Sequence, residues 1–264
     1  MNPISDTALP LTVAIITKNE EAMLVECLQS VQPLHCPIVI IDAGSSDATC
    51  KIAEQYGAAC HVFSDWQGFG IQRNRAHEFI RSEWVLWLDA DERLSNETVN
   101  GIRRIFSQGT QPKTVYTLNR STIVYGKKIR YCGWYPDRVV RMYPVTHTRY
   151  NNDLVHESVI VPEGWKIENI NGDIVHLTYS SLGQHIIKMQ RYAYDWAQQF
   201  KNRKYSNPAG ALLRGIVAFF RTYILKRGFL DGYAGLIISV MNGFYTFAKY
   251  AQLWLLNQNH SNQP

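Results

Sequence analysis

In the first ninety residues, short apolar runs alternate with longer stretches whose hydrophobic positions recur at helical spacing. Residues 11–17, 37–42, 59–63 and 84–88 read as strands, the last an unbroken Trp84-Val85-Leu86-Trp87-Leu88. Residues 20–31, 47–56 and 70–81 read as the intervening helices, with Ser45 or Ser46 placed to cap the second. This alternation specifies a parallel sheet covered by helices, so the first ninety residues read as a Rossmann-like nucleotide-binding half.

The pattern changes after that half. Residues 98–106 suggest a short helix and 114–124 a strand, whereas 125–176, rich in Gly, Pro, Tyr and Trp, suggest short strands and loops able to carry acceptor contacts, Trp134 among them. Helical spacing returns over 181–203, 208–226 and 233–256. The expected division is an α/β domain over 1–180, its nucleotide half at 10–95 and its acceptor side at 96–180, followed by a helical, membrane-associating region over 181–264.

Charge sharpens the reading of that last region. The chain carries a net charge of +5, yet from Lys188 onward ten Lys or Arg face only Asp195 and Asp231, so the remainder is net acidic. A basic end points to a polyanionic partner, and the apolar runs between its basic residues favour an anionic membrane surface over nucleic acid, which is not expected as a partner. Residues 232–248 are uncharged, near the lower length for a span, but Ser239, Asn242 and Thr246 reduce their hydrophobicity and favour an in-plane or packed helix. In 208–226, Arg214, Arg221 and Lys226 accompany Leu212, Leu213, Ile216, Val217, Phe219, Phe220 and Ile224, a basic amphipathic pattern suited to anionic lipid. The alternative is a helix buried against the α/β domain. Five cysteines with no Cys-x-x-Cys pair argue against a disulfide framework or a zinc site and fit a reducing compartment. No basic region followed by an apolar stretch opens the chain, so a cytoplasmic protein, peripheral on the inner face of the membrane, is expected.

Candidate chemistry gathers at the carboxyl ends of the strands, where open α/β sheets bind ligands. Asp89 and Asp91 in Leu88-Asp89-Ala90-Asp91-Glu92 suit a hard divalent cation, Mg²⁺ or Mn²⁺, whose shell substrate phosphates complete. The plainer reading is an acidic turn before a helix capped by Asp91 or Ser95. The first strand ends in Thr17-Lys18-Asn19-Glu20 and the second in Asp42-Ala43-Gly44-Ser45-Ser46-Asp47, where Asp42 is placed to accept hydrogen bonds from a base or ribose. Gln72-Arg73-Asn74-Arg75, after a Gly68-Phe69-Gly70 turn, offers guanidinium and amide donors to a phosphate or sugar, or else a solvated basic helix face.

The ordered set Thr-x-Asn-Glu, Asp-x-Gly-Ser-Ser-Asp, Gln-Arg-Asn and Leu-Asp-Ala-Asp-Glu resembles the family 2 glycosyltransferases of GT-A fold. Arg138-Val-Val-Arg141, Val155-His156-Glu157, His176-Leu177-Thr178-Tyr179 and the basic aromatic tail extend the resemblance to lipopolysaccharide core β-glucosyltransferases acting on inner-core heptose. The resemblance implies a mostly parallel GT-A sheet with flanking helices and a C-terminal helical extension. It also implies a UDP-sugar donor, a divalent cation and inverting transfer of glucose to a lipopolysaccharide inner-core heptose. It places Asp42 at the uracil, Thr17, Asn19, Glu20 and Ser45 in the nucleotide loops, Asp89 at the ribose or sugar, Arg73 and Asn74 near the donor sugar, and Asp91 on the metal. Ala43 stands where many members carry a second acid, which leaves base selectivity open.

Inversion requires a base to take the acceptor hydroxyl proton. Glu157 is the expected base, in surroundings that would raise its pKa, with Glu92 or Asp137 as alternatives. His156 is a candidate metal ligand that would equally serve to orient Glu157 or fill core space. Arg138 and Arg141, with Arg130, Lys127 and Lys128 upstream, are candidate contacts for acceptor phosphate and carboxylate groups, the alternative being ordinary surface charge. Competing functions are a same-fold transferase acting on a lipid phosphate or polypeptide, and a nucleotide-sugar-binding scaffold without catalysis.

Overall fold

The computed structural model describes residues 9–153 and 157–261. The chain divides into two units, residues 1–120 with 137–176 and residues 121–136 with 177–264, so the division falls inside two long strands.

The first unit opens with the alternation that the sequence pattern requires. Strands β1 (Leu11–Thr17), β2 (Ile38–Asp42), β3 (Ala59–Val62) and β4 (Trp84–Asp89) alternate with helices α1 (Glu21–Val31), α2 (Thr49–Gln55) and α3 (Phe69–Arg75). After β5 (Glu92–Leu94) and α4 (Asn96–Gln108), the sheet is completed by β6 (Thr114–Val124), β8 (Arg138–Pro144) and β9 (Lys166–Tyr179), with the two-residue β7 (Lys127–Lys128) paired to β6. The strand order is β3-β2-β1-β4-β8-β6-β9-β5. Pairing is parallel from β3 to β4, as helical crossovers dictate, and antiparallel where β8 joins β4 and where β5 joins β9.

Because strand side chains alternate between faces, β1 supplies two cores. Leu11, Val13 and Ile15 pack with Leu24 and Leu28 of α1, with Val99 and Ile102 of α4, and with Leu86 and Leu88 of β4. Ala14 faces the other way, with Ile41, Val85, Trp87, Tyr143 and Tyr150. The register sets Ile16 beside Asp89 and Thr17 beside Asp42, which brings both strand-end acids to one edge of the sheet.

Several local details depart from the sequence pattern. No serine caps α2: Asp47 instead accepts from Thr49 N (3.0 Å) and Thr49 Oγ1 (2.5 Å), because Ser45 is bound to Asp42. The helix expected over 70–81 is α3 followed by a 3-10 turn, Ala76–Glu78. Ser95 does cap α4, its Oγ accepting from Thr98 N at 3.1 Å. β9 runs for 14 residues from inside the stretch expected to hold short strands to just past its end.

The second unit holds the helices α5 (Leu182–Phe200), α6 (Pro208–Phe220) and α7 (Gly232–Ser261), with a π turn, Arg221–Leu225, after α6 and a 3-10 turn, Gly228–Asp231, before α7. Ser181 caps α5, and Asn207 with Pro208 at the first turn caps α6. Its core joins Val124, Ile129 and Cys132 to Ala234 and Ile238. Asp231, buried, accepts backbone N–H bonds from Arg130 (3.1 Å) and Tyr131 (2.8 Å) and so ties that loop to the start of α7.

Candidate active site

The floor of the site is built from the loops after β1 and β2. Asp42 is fully buried, and its carboxylate accepts four hydrogen bonds: Gly44 N (2.9 Å) and Ser45 N (2.6 Å) on Oδ1, Thr17 Oγ1 (2.7 Å) and Ser45 Oγ (2.6 Å) on Oδ2. Burial alone would raise its pKa, but these donors hold the carboxyl below its ordinary value. The turn they close needs Gly44 at φ 81°, and a Cβ there would meet Ser64 Cβ at 3.0 Å. Asn19, itself at φ 55°, joins the two loops, its Oδ1 accepting from Ser46 N (2.9 Å) and its N donating to Ser45 Oγ (2.8 Å). Glu20 N donates to Thr49 Oγ1 at 2.8 Å, and Lys18 Nζ donates to the carbonyls of Ala43 (2.9 Å) and Gly44.

At the end of β4 lies a chain of charges. Asp89 accepts from Arg73 Nη2 (2.5 Å) on one oxygen and from Arg141 Nη2 (2.9 Å) on the other. Arg73 reaches on to Glu157 Oε1 (2.6 Å), and Arg141 to Glu92 Oε1 (2.5 Å). Glu92 Oε2 in turn accepts from Asp89 N at 3.0 Å, which closes the turn that carries Asp91. Burial opposes the charge on Asp89, yet the two guanidiniums hold its carboxyl well below the usual carboxylate range. Burial, reinforced by the Asp89 charge, pushes Glu92 upward against the pull of Arg141. Burial likewise works against the charge on both arginines, but Asp89 beside Arg73 and Glu92 with Asp89 beside Arg141 raise them above the ordinary guanidinium value. Arg73 also lies under the ring of Tyr150, its Cζ 4.9 Å from the centroid.

Asp91 stands at the outer side of this chain, its Oδ2 3.2 Å from Nε2 of His176. The antiparallel pairing of β5 with β9 sets His176 opposite Glu92 and so brings it to the acid. His176 Nδ1 is buried and has no hydrogen-bond partner among the described residues. The cluster holds four carboxylates, Asp89, Asp91, Glu92 and Glu157, against the guanidiniums of Arg73 and Arg141, a surplus of negative charge that a cation would offset.

The structure therefore gathers Arg73, Asp89, Asp91, Arg141 and Glu157 at one place, and Thr17, Asn19, Asp42 and Ser45 around the neighbouring loops. Arg141 is buried within the charge chain, whereas Arg138, three residues earlier on β8, is exposed. Asn74 pairs with the main chain of Tyr150 in both directions, Nδ2 to Tyr150 O (2.9 Å) and Tyr150 N to Oδ1 (3.0 Å). This clasp is tight: a Cβ on Gly70 would lie 1.9 Å from Asn151 O. Trp134 belongs to the second unit, partly buried against its core. His156 lies outside the described residues. Two residues take roles that the sequence reading did not give them. His176, quoted there as part of a motif, is brought to Asp91 by strand pairing, and Glu92, an alternative base there, is a buried partner of Arg141.

Residues 12–118 match the family model described as glycosyl transferase family 2. That stretch, less than half of the chain, is similar to glycosyl transferase family 2. An uncharacterized glycosyltransferase of Rickettsia typhi is 28% identical over 92% of this chain and 86% of its own length. The lipopolysaccharide core biosynthesis glycosyltransferase LpsC of Rhizobium meliloti is 27% identical over 93% of this chain and 92% of its own. Among solved structures, the mannosyltransferase PcManGT of Pyrobaculum calidifontis, in complex with GDP-Man and Mn²⁺, superposes with a TM-score of 0.55 at 13% identity, covering 94% of this chain and 88% of that one. The fold is that of the GT-A enzymes, and the chain is a glycosyltransferase related to LpsC.

Proposed function

We propose that the chain transfers glucose from a UDP-sugar, with inversion, to a heptose of the lipopolysaccharide inner core. The observation that carries this reading is the pairing of Asp91 with His176 at the end of β4, beside an Asp89 already neutralised by two arginines. The relationship to LpsC, whose name gives it a role in lipopolysaccharide core biosynthesis, supports the acceptor class.

The residues fit a divalent cation. Two ligands about 2.1 Å from one octahedral ion, at right angles, lie about 3.0 Å apart, and Asp91 Oδ2 and His176 Nε2 are separated by 3.2 Å. A mixed oxygen and imidazole pair leans toward Mn²⁺ over Mg²⁺. When bound, such an ion offsets the negative charge that develops on the departing diphosphate.

The protein's own groups do the rest. The loops after β1 and β2 hold the nucleoside at the sheet edge. All four lone-pair positions of Asp42 are already taken by Thr17, Gly44 and Ser45, so in this arrangement a base contact requires one of the two hydroxyls to turn away. Glu157 takes the proton from the acceptor hydroxyl as its oxygen bonds to the anomeric carbon. The bond from that carbon to the diphosphate oxygen breaks on the opposite face, and the electron pair leaves with UDP. Arg73, bonded to both Glu157 and Asp89, fixes the base relative to the donor side.

The test is a donor and acceptor screen with mass spectrometry of the product. A gain of one hexose on heptose-containing core lipid, from UDP-glucose, is the expected result. Asp91→Asn and His176→Ala are expected to lower transfer by about a hundredfold or more and to weaken Mn²⁺ binding. Full turnover by Asp91→Asn would remove the metal role, and undiminished turnover by Glu157→Gln would remove the base.

A further inference from the structure

The second unit packs α6 and the π turn after it in the inverse of the usual order. Ala211, Gly215 and Thr222, spaced by helical repeats, face inward, while Leu212, Leu213, Ile216, Val217, Phe220 and Ile224 are exposed. The inward face is a close backbone crossing with α7: a Cβ on Gly215 would meet Gly243 O at 2.9 Å, and one on Gly243 would meet Gly215 O at 3.0 Å. Asn242 Nδ2 donates to Thr222 Oγ1 at 2.7 Å to seal that seam. Small residues inside and branched or aromatic ones outside is the arrangement helices adopt when their surroundings are apolar, because close packing and polar bridges then drive association and the large side chains face the solvent they prefer.

The apolar face continues into the turns that follow. Leu225 is 77% exposed, and Phe229 and Leu230 about half exposed. Charge decides what covers it. From Pro208 to Tyr233 the exposed charges are Arg214, Arg221, Lys226 and Arg227, all positive, whereas the one acid, Asp231, is buried and satisfied by backbone N–H groups. A second copy of the chain would bring the same cations against these, at a cost in like-charge repulsion, whereas an anionic lipid surface offers both acyl chains and phosphates. The stretch Pro208–Leu225 is long and apolar enough to cross a membrane, with 17% of it buried. Its two arginines, and the further cations just past its end, lie beside the apolar stripe as in a helix resting in the interface plane.

We propose that the outward face of α6, with the turns carrying Leu225, Phe229 and Leu230, seats the second unit in the headgroup layer of an anionic bilayer without spanning it.

The test uses the full chain and vesicles of phosphatidylcholine, with or without about one third phosphatidylglycerol. Co-sedimentation with the anionic vesicles only, weakened by salt, is the expected result. Leu225→Ser with Phe229→Ser should lower partitioning about tenfold, while Arg221→Gln and Arg227→Asn should each lower it about fivefold. Asn is chosen at 227 because that residue sits at φ 55°, where Asn is tolerated. Circular dichroism spectra unchanged from the parent would show that these exposed positions act on binding and not on folding. Release of the protein from cell membranes by alkaline carbonate supports the proposal, and retention until detergent is added overturns it in favour of a spanning helix. Failure to bind either vesicle, equal binding to both, or a concentration-dependent dimer broken by Leu225→Ser would also overturn it.

Discussion

The two units place charge and apolar bulk differently. The first fills its interior with bulk, Trp87, Tyr143, Ile15 and Leu88, and takes charge in with it as the linked pairs of Arg73, Asp89, Arg141 and Glu92. The second, along α6 and the turns after it, takes small groups inside and leaves large hydrophobic residues and cations outside. Its few buried polar groups are held without countercharge, Asp231 by backbone N–H groups and His185 by the Tyr125 hydroxyl at 2.7 Å and the stacked ring of Tyr179 at 3.9 Å. On the proposed reading, charge kept inside suits the first unit to a charged substrate, and apolar bulk kept outside suits the second to a lipid surface.

The sharpest break of that contrast comes from Arg141→Met, which strands Glu92 and half of Asp89 in a buried setting. The thermal transition of the first unit should lose about 3–5 kcal/mol of stability, and Arg141→Met with Glu92→Leu should recover part of it. An unshifted melting curve for the single variant would mean that the pairs do not hold the unit together. The second unit should respond to acid through His185, whose pKa burial, with Lys188 nearby, lowers to about 4 from 6.5. The unfolded chain binds this proton first, so stability is fully present above pH 6.5 and is lost as pH falls toward about 4, by an amount on the order of 3 kcal/mol. Denaturant midpoints measured across that window should slope for the parent and flatten for His185→Phe. Gly215→Leu should cost about 1–3 kcal/mol by prising α6 from α7, and a neutral outcome would show that the backbone crossing is not needed. Leu225→Ser, at an exposed position, should change stability in buffer by less than about 0.5 kcal/mol.

The parallel half of the sheet was legible because each strand and helix in it is specified locally, by period and by flanking turn residues. The acids at the end of β4 and the loops after β1 and β2 were legible for the same reason. The rest depends on pairing across long sequence distances. Arg141 looks like a surface cation on an alternating strand until β8 is laid against β4, with Leu86 beside Met142, which turns it inward to Asp89 and Glu92. His176 meets Asp91 only through the β5 and β9 register. Helix ends were misplaced where side chains were engaged elsewhere: Ser45 is spent on Asp42, leaving Asp47 to organise the start of α2. The outward apolar face of α6 followed the expected basic amphipathic pattern, but the glycine seam that turns it outward requires knowing that Gly215 meets Gly243.

The four-donor grip on Asp42 makes the loop after β2 register even the smallest edit. Exchanging one carboxylate oxygen for an amide nitrogen, as in Asp42→Asn, leaves one workable orientation: the amide oxygen must face the fixed N–H groups of Gly44 and Ser45, and the hydroxyls of Thr17 and Ser45 must both turn to accept from the nitrogen. The floor of the site thus has an anion as its keystone, and an isosteric replacement would reverse two of its four bonds.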